Sequence, residues 1–148
     1  MQNPQSELYQ ELIIDHGTQP RNCHTMDNPT HTAKGNNPIC GDNLVLYLNI
    51  KDNVIKDVSF EGQGCAISMA SVSIMTEILK DKTIEQAQTL FSTFQDLLTK
   101  PDCTKTGNIK LDCLAQVKSY PMRVKCATLG WHALEHALRH DTKEAHTE

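Results

Sequence analysis

The 148-residue sequence predicts a small α+β sandwich, and three observations carry that prediction. Two neighbouring stretches alternate apolar and polar residues with period two across a short turn, the pattern of a β-hairpin with one buried face. One stretch before the hairpin and several after it repeat apolar residues at helical spacing. The resulting order, helix, hairpin, then helices, fits a single domain over residues 1–148, a length that can bury its own core.

The first helix is read from SELYQELIIDHGTQPRN. Ser6 offers an N-cap, Leu8, Leu12 and Ile13 give a partial apolar face, and Gly17 and Pro20 end it. CHTMDNPTHTAKGNNP is turn-rich and reads as a loop with at most one short strand. In NLVLYLNI, Leu44, Leu46, Leu48 and Ile50 alternate with Val45, Tyr47 and Asn49. In VIKDVSFE, Val54, Val58 and Phe60 share one face while Asp57, Ser59 and Glu61 fall on the other, and the intervening KDN is the turn.

CAISMASVSIMTEILK places Ile67, Ser71, Ile74, Met75 and Ile78 along one helical stripe, so a helix begins near Cys65. Gly62 and Gly64 permit a sharp strand-to-helix turn there. Thr83 and Gln86 match a capping box ahead of TIEQAQTLFSTFQDLL. Residues 100–108 read as a loop, IKLDCLAQVKSYP as a short helix ending before Pro121, and the last helix as running from about Met122 to His140. No internal repeat or low-complexity segment is present.

Composition narrows the function classes. Hydrophobic residues make up 39% and charged residues 22%, with a formal net charge of -4 and no Lys/Arg-rich run, which argues against nucleic acid or an anionic membrane as partner. The opening MQNPQSELYQ lacks the basic and apolar regions of a signal peptide, and no apolar run approaches the ~20 residues of a membrane span, so a cytoplasmic location is expected. The six cysteines are then read as thiols rather than disulfides, and none forms a CxxC pair.

Any metal site must therefore be assembled by the fold. A hairpin turn centred near Asp52 sets Asp42 opposite Gly62 and brings Cys40 near Gly64 and Cys65. Two thiols and a carboxylate then meet at the open end of the hairpin. Cys65 sits where a helix begins, a position that favours a thiolate, and Cys126, in the first turn of the last helix near Arg123 and Lys125, is a second low-pKa thiol candidate. Spacing alone does not bring Cys126 to the same point. If the fold does, three thiolates and one carboxylate suit four-coordinate zinc, and the thiolates equally suit an iron–sulfur cluster. The bland alternatives are buried cysteines as small apolar filler and Asp42 as a loop-capping Asx-turn.

The segments DHGTQPRN, NPICGDN, FEGQGCAISMASVSIMTEIL and MRVKCATLGWHAL, in that order, resemble the signature segments of the IscU/SufU family of iron–sulfur assembly proteins, from about Leu8 to Leu138. The resemblance implies a SufE/NifU-like sandwich: a small antiparallel three-stranded sheet covered by helices, its third strand near His31 to Gly35. Lys125 stands where the IscU type carries a His, and the long stretch at about 88–116 resembles the insertion of the SufU type. That type implies zinc held by Cys40, Asp42, Cys65 and Cys126, and sulfur accepted from a pyridoxal-phosphate cysteine desulfurase of the SufS type for downstream iron–sulfur assembly proteins. Gly17 departs from the Tyr common after DH in the family.

Within that reading Cys40, on a loop, is the expected sulfur acceptor, and Arg123 a docking residue. A [2Fe–2S] scaffold on the same residues is the alternative. His132, His136 and His140 recur every four residues but are expected to point away from the apolar face of Ala127, Trp131, Leu134 and Leu138. Cys23, Cys103 and Cys113 are expected to be ordinary thiols, and Met69 and Met75 core.

Overall fold

A computed structural model describes residues 4–139 and the pair Ala145–His146, with side chains from 7 to 139. Its elements are α1 (Pro4–Thr18), β1 (His31–Asn37), β2 (Asp42–Lys51), β3 (Val54–Gln63), α2 (Ala66–Leu79), α3 (Ile84–Thr99), α4 (Ile109–Asp112), a 3-10 turn (Cys113–Ser119), α5 (Pro121–Leu138) and β4 (Ala145–His146). The sheet order is β3-β2-β1-β4, with β1, β2 and β3 antiparallel and β4 added in parallel to Gly35 and Asn36. The α+β class and the third strand at His31 match the expectation, and α1 begins two residues ahead of Ser6.

The hairpin departs from the expected register by two residues. Its turn is the pair Asp52–Asn53, both at positive φ (53° and 65°), the conformation that matches strand twist in two-residue hairpins. A bulge between Asn49 and Ile50 then shifts the pairing again, so Leu44, not Asp42, faces Gly62. The same bulge reverses the phase of β3. Ile55 joins Val58 and Phe60 in the core, while Val54 is only half-buried. Ser59 is also buried, although alternation places it on the outer face.

One face of the sheet carries the core. Leu44, Leu46 and Leu48 from β2 are buried there, and α5 lies along β1 and β2. Gly35 makes this approach possible: a Cβ there would stand 3.1 Å from Leu129 Cδ1. α2 packs against α1, α5 and β3 and is buried from Ser68 to Thr76, more fully than a one-stripe helix requires. Trp131 is fully buried, 5.9 Å from Phe91 and 5.2 Å from Phe94 between ring centroids. The Thr83/Gln86 capping box on α3 forms in both directions. No helix among the described residues is long and apolar enough to cross a membrane.

A buried histidine ties α1 to this frame. His16 Nδ1 lies 2.7 Å from Ser73 Oγ, which also accepts from the Arg21 backbone N–H. Its Nε2 lies 3.1 Å from Lys110 Nζ and 3.4 Å from Glu77 Oε1. Since an ammonium only donates, Nε2 accepts and Nδ1 carries the proton, the neutral tautomer. Burial foremost, then Lys110 and Arg21, lowers its proton affinity, against Glu77 and Asp15. The unfolded chain then binds a proton at His16 before the folded one does. Stability is full above the ordinary histidine value of about 6.5 and falls as pH drops through it. Urea unfolding at pH 7.5 and pH 5.5 should show that loss, and His16→Gln should reduce it. An equal loss in the variant would remove His16 as the cause.

Candidate functional site

The β1–β2 connection is a tight loop of Pro38, Ile39, Cys40 and Gly41, closed by the strand pair Asn37 and Asp42. Gly41 takes φ +75°, a left-handed conformation that turns the chain back within one residue. Cys40 is half-buried, whereas Asp42 is fully buried at the first position of β2. One oxygen of Asp42, Cys40 Sγ and Cys126 Sγ all lie within 4.8 Å of one another. The convergence that spacing left open is therefore present, across 86 residues of chain.

Cys65 lies beside this trio at the same open end of the hairpin, just after β3, but its sulfur is not among the three atoms that converge. It is the N-cap of α2, and its sulfur accepts from Ser68 N–H at 3.4 Å. Its own backbone N–H donates to Asp42 Oδ1 at 2.8 Å. Gly64 makes that bond possible, because a Cβ there would stand 2.5 Å from the same oxygen. Asp42 Oδ2 is left buried without a hydrogen-bond partner. A buried, unpartnered carboxylate oxygen beside soft sulfur donors is an arrangement a bound cation would satisfy. Two sulfurs and one oxygen converge, and a turn of the Cys65 sulfur toward them would give the donor number and type of zinc.

Cys126 departs from its expected environment. α5 starts at Pro121, so Cys126 lies beyond the first turn and is 1% exposed. Burial, followed by the adjacent Asp42, Cys40 and Cys65, pushes its thiol up rather than down. The helix terminus does not lower it, because the dipole effect fades after the first turn while desolvation does not. Arg123 is exposed, and the nearby Cys65 is the leading cause of its raised proton affinity, then Cys126 and Cys40.

The other candidates stay outside the site. Cys113 is buried, donates to Lys110 O at 2.9 Å, and is pushed up to about 12 by burial and Asp112. Cys23 is exposed and Cys103 partly buried, and neither belongs to the thiol–carboxylate cluster. His132 corrects an expectation: it is half-buried and meets Phe91 edge-on at 5.2 Å between centroids. α3 covers that side of α5, which the apolar pattern of α5 alone does not reveal. His140 lies outside the described residues. Asn37 is the site residue that sequence reasoning missed, and Gly64, read there as a turn residue, also makes room for Asp42; both roles depend on the β1 and β3 registers.

A thiol–carboxylate cluster at the mouth of the hairpin on an α+β sandwich is the arrangement that the resemblance to iron–sulfur cluster assembly proteins implies. The chain belongs to the family of the NifU-like N-terminal domain, which matches residues 8–127. It is 39% identical over 129 residues to the zinc-dependent sulfurtransferase SufU of Bacillus subtilis, covering 86% of this chain and 87% of that protein. It is also 35% identical over 135 residues to the iron–sulfur cluster assembly scaffold protein IscU of Thermotoga maritima, covering 89% and 93%. A crystal structure from Fervidobacterium islandicum, described as a scaffold protein for the SUF system, superposes with TM-score 0.76 at 34% identity over 86% of this chain and 94% of that one. The N-terminal part of a NifU-like protein from Brucella abortus shares the fold, with TM-score 0.81 at 20% identity over 90% and 94%.

Proposed function

We infer that this protein accepts persulfide sulfur from a SufS-type, pyridoxal-phosphate cysteine desulfurase and hands it to downstream iron–sulfur assembly proteins. The observation that carries this reading is the convergence of Cys40, Asp42 and Cys126, with Cys65 hydrogen-bonded to Asp42 beside them. These four residues are the proposed zinc ligands. Zinc bound there would keep thiols deprotonated at neutral pH and brace the loop. Cys40 is the proposed acceptor and Arg123 the proposed docking residue.

The family contains both zinc-dependent transfer proteins and cluster scaffolds. Lys125, in the position where the IscU type carries a His, favours the transfer reading. The scaffold reading rests on the equally extensive similarity to IscU proteins, and a [2Fe–2S] cluster would use the same thiols. Metal analysis of protein purified without added metal separates the two. Transfer requires zinc and no visible charge-transfer colour, whereas a brown protein with iron and sulfide overturns it. Adding the desulfurase and cysteine should then place a persulfide on this chain.

Asp42→Ala tests the oxygen ligand. Removing it should weaken zinc retention in chelator competition by at least about tenfold. Unchanged retention would leave Asp42 as a purely structural acceptor for the Cys65 N–H.

A further inference from the structure

The residue that closes the other end of the Cys40 loop has no role in the reading above. Asn37 is the last residue of β1 and pairs with Asp42 across the hairpin. Ala33, Gly35 and Asn37 form the buried face of β1. That face lies on α5. Gly35 stands against Leu129, and Asn37, two residues on, reaches Cys126, about one helical turn back. The Asn37 side chain is fully buried, and its Nδ2 lies 4.0 Å from Cys126 Sγ, at the outer reach of an N–H···S bond. Its Oδ1 has no hydrogen-bond partner.

A buried amide with an unpaired oxygen costs stability unless the side chain is retained for another reason. Among the described residues, its amide nitrogen is directed at the sulfur of a proposed ligand. A sulfur that binds a metal is an acceptor, so it takes a donor and not a carbonyl. A neutral amide supplies that donor without adding charge beside Asp42. We propose that Asn37 is a positioning residue for the metal centre: its Nδ2–H bonds Cys126 Sγ, orients the thiolate toward Cys40 and Asp42, and draws charge from the sulfur. This rests on the metal-site reading of the same four residues. It adds a donor that sets how tightly Cys126 is held, and so which sulfur remains bound when Cys40 is released.

The test compares wild type with Asn37→Val, which removes the amide while filling space in a strand. Metal-free protein of both forms should melt at similar temperatures, because the variant also removes an unpaired buried oxygen. Zinc retention against a chelator should weaken about tenfold in the variant. In the cobalt(II)-loaded forms, the sulfur-to-metal charge-transfer band should move to lower energy in Asn37→Val, a shift that a merely structural role does not produce. Zinc retention within twofold of wild type together with an unmoved cobalt band overturns the proposal. If the variant does not fold, nitrogen-15 spectra of wild type decide: the Asn37 side-chain NH2 resonances must move when zinc is added, and unmoved resonances overturn it. Wild type that retains no zinc overturns the metal-site reading and this proposal together, whereas equal retention by both forms overturns Asn37 alone.

Discussion

Cys40→Ala is expected to lower sulfur acceptance from a cysteine desulfurase by on the order of a thousandfold or more, the scale of losing a covalent nucleophile. The geometry separates Cys40 from its neighbours. Cys126 is 1% exposed on α5, and Cys65 is held at the N-cap of α2 with its sulfur engaged by Ser68 N–H. Cys40 sits in a loop whose other members, Pro38, Ile39 and Gly41, are exposed, and it is itself only half-buried. Its thiolate can meet a persulfide carried on another protein. Attack on the outer sulfur forms an S–S bond at Cys40 and breaks the donor's S–S bond, and the donor cysteine leaves as a thiolate. Mass spectrometry after incubation with desulfurase and cysteine should find one added sulfur on wild type and none on the variant. Undiminished sulfur on Cys40→Ala would move the acceptor role to Cys65.

Gly64→Ala should damage the proposed centre without replacing a proposed ligand. A methyl group at this position would stand 2.5 Å from Asp42 Oδ1, 3.0 Å from its Cγ and 3.1 Å from its Cβ. The whole carboxylate is in the way, not only its tip. Asp42 is fully buried and held by the Cys65 N–H, so it can yield only by giving up that bond. A buried hydrogen bond to a charged group contributes about 1.5–3 kcal/mol, and misplacing a group that supports a metal ligand costs about 10–100-fold in affinity. Urea unfolding of metal-free protein should show a loss in that range, and chelator competition should show faster zinc loss. Helical content by circular dichroism should persist, since α2 begins after Gly64. Wild-type zinc retention would mean that the loop shifts to make room.

Much of this site was legible because its signals are local. Alternation over residues 44–50 and 54–60 marks a hairpin, and a thiol and a carboxylate two residues apart stand at its mouth. The start of α2 at Cys65 and the Thr83/Gln86 cap depend on neighbouring residues and were read correctly. The register was not. A bulge at Asn49/Ile50 adds one residue to one strand, and period-two alternation on either side of it stays intact. Asp42 therefore meets the Gly64–Cys65 segment, where simple counting places Gly62. His132 was misread for a related reason: helical phase assigns it to one face of α5 but cannot say that α3 covers that face.

By itself, the sequence determined the α+β class, the hairpin, the helix starts and the inventory of donor atoms, because each depends on interactions within a few residues. The tertiary structure alone decided that Cys126 joins Cys40 and Asp42, that Asn37 reaches its sulfur, and that burial raises its thiol. Those facts need β1 laid on α5 through the Gly35–Leu129 contact. No local pattern encodes a contact between residues 86 positions apart; it follows from how the sheet and helix close over a shared core.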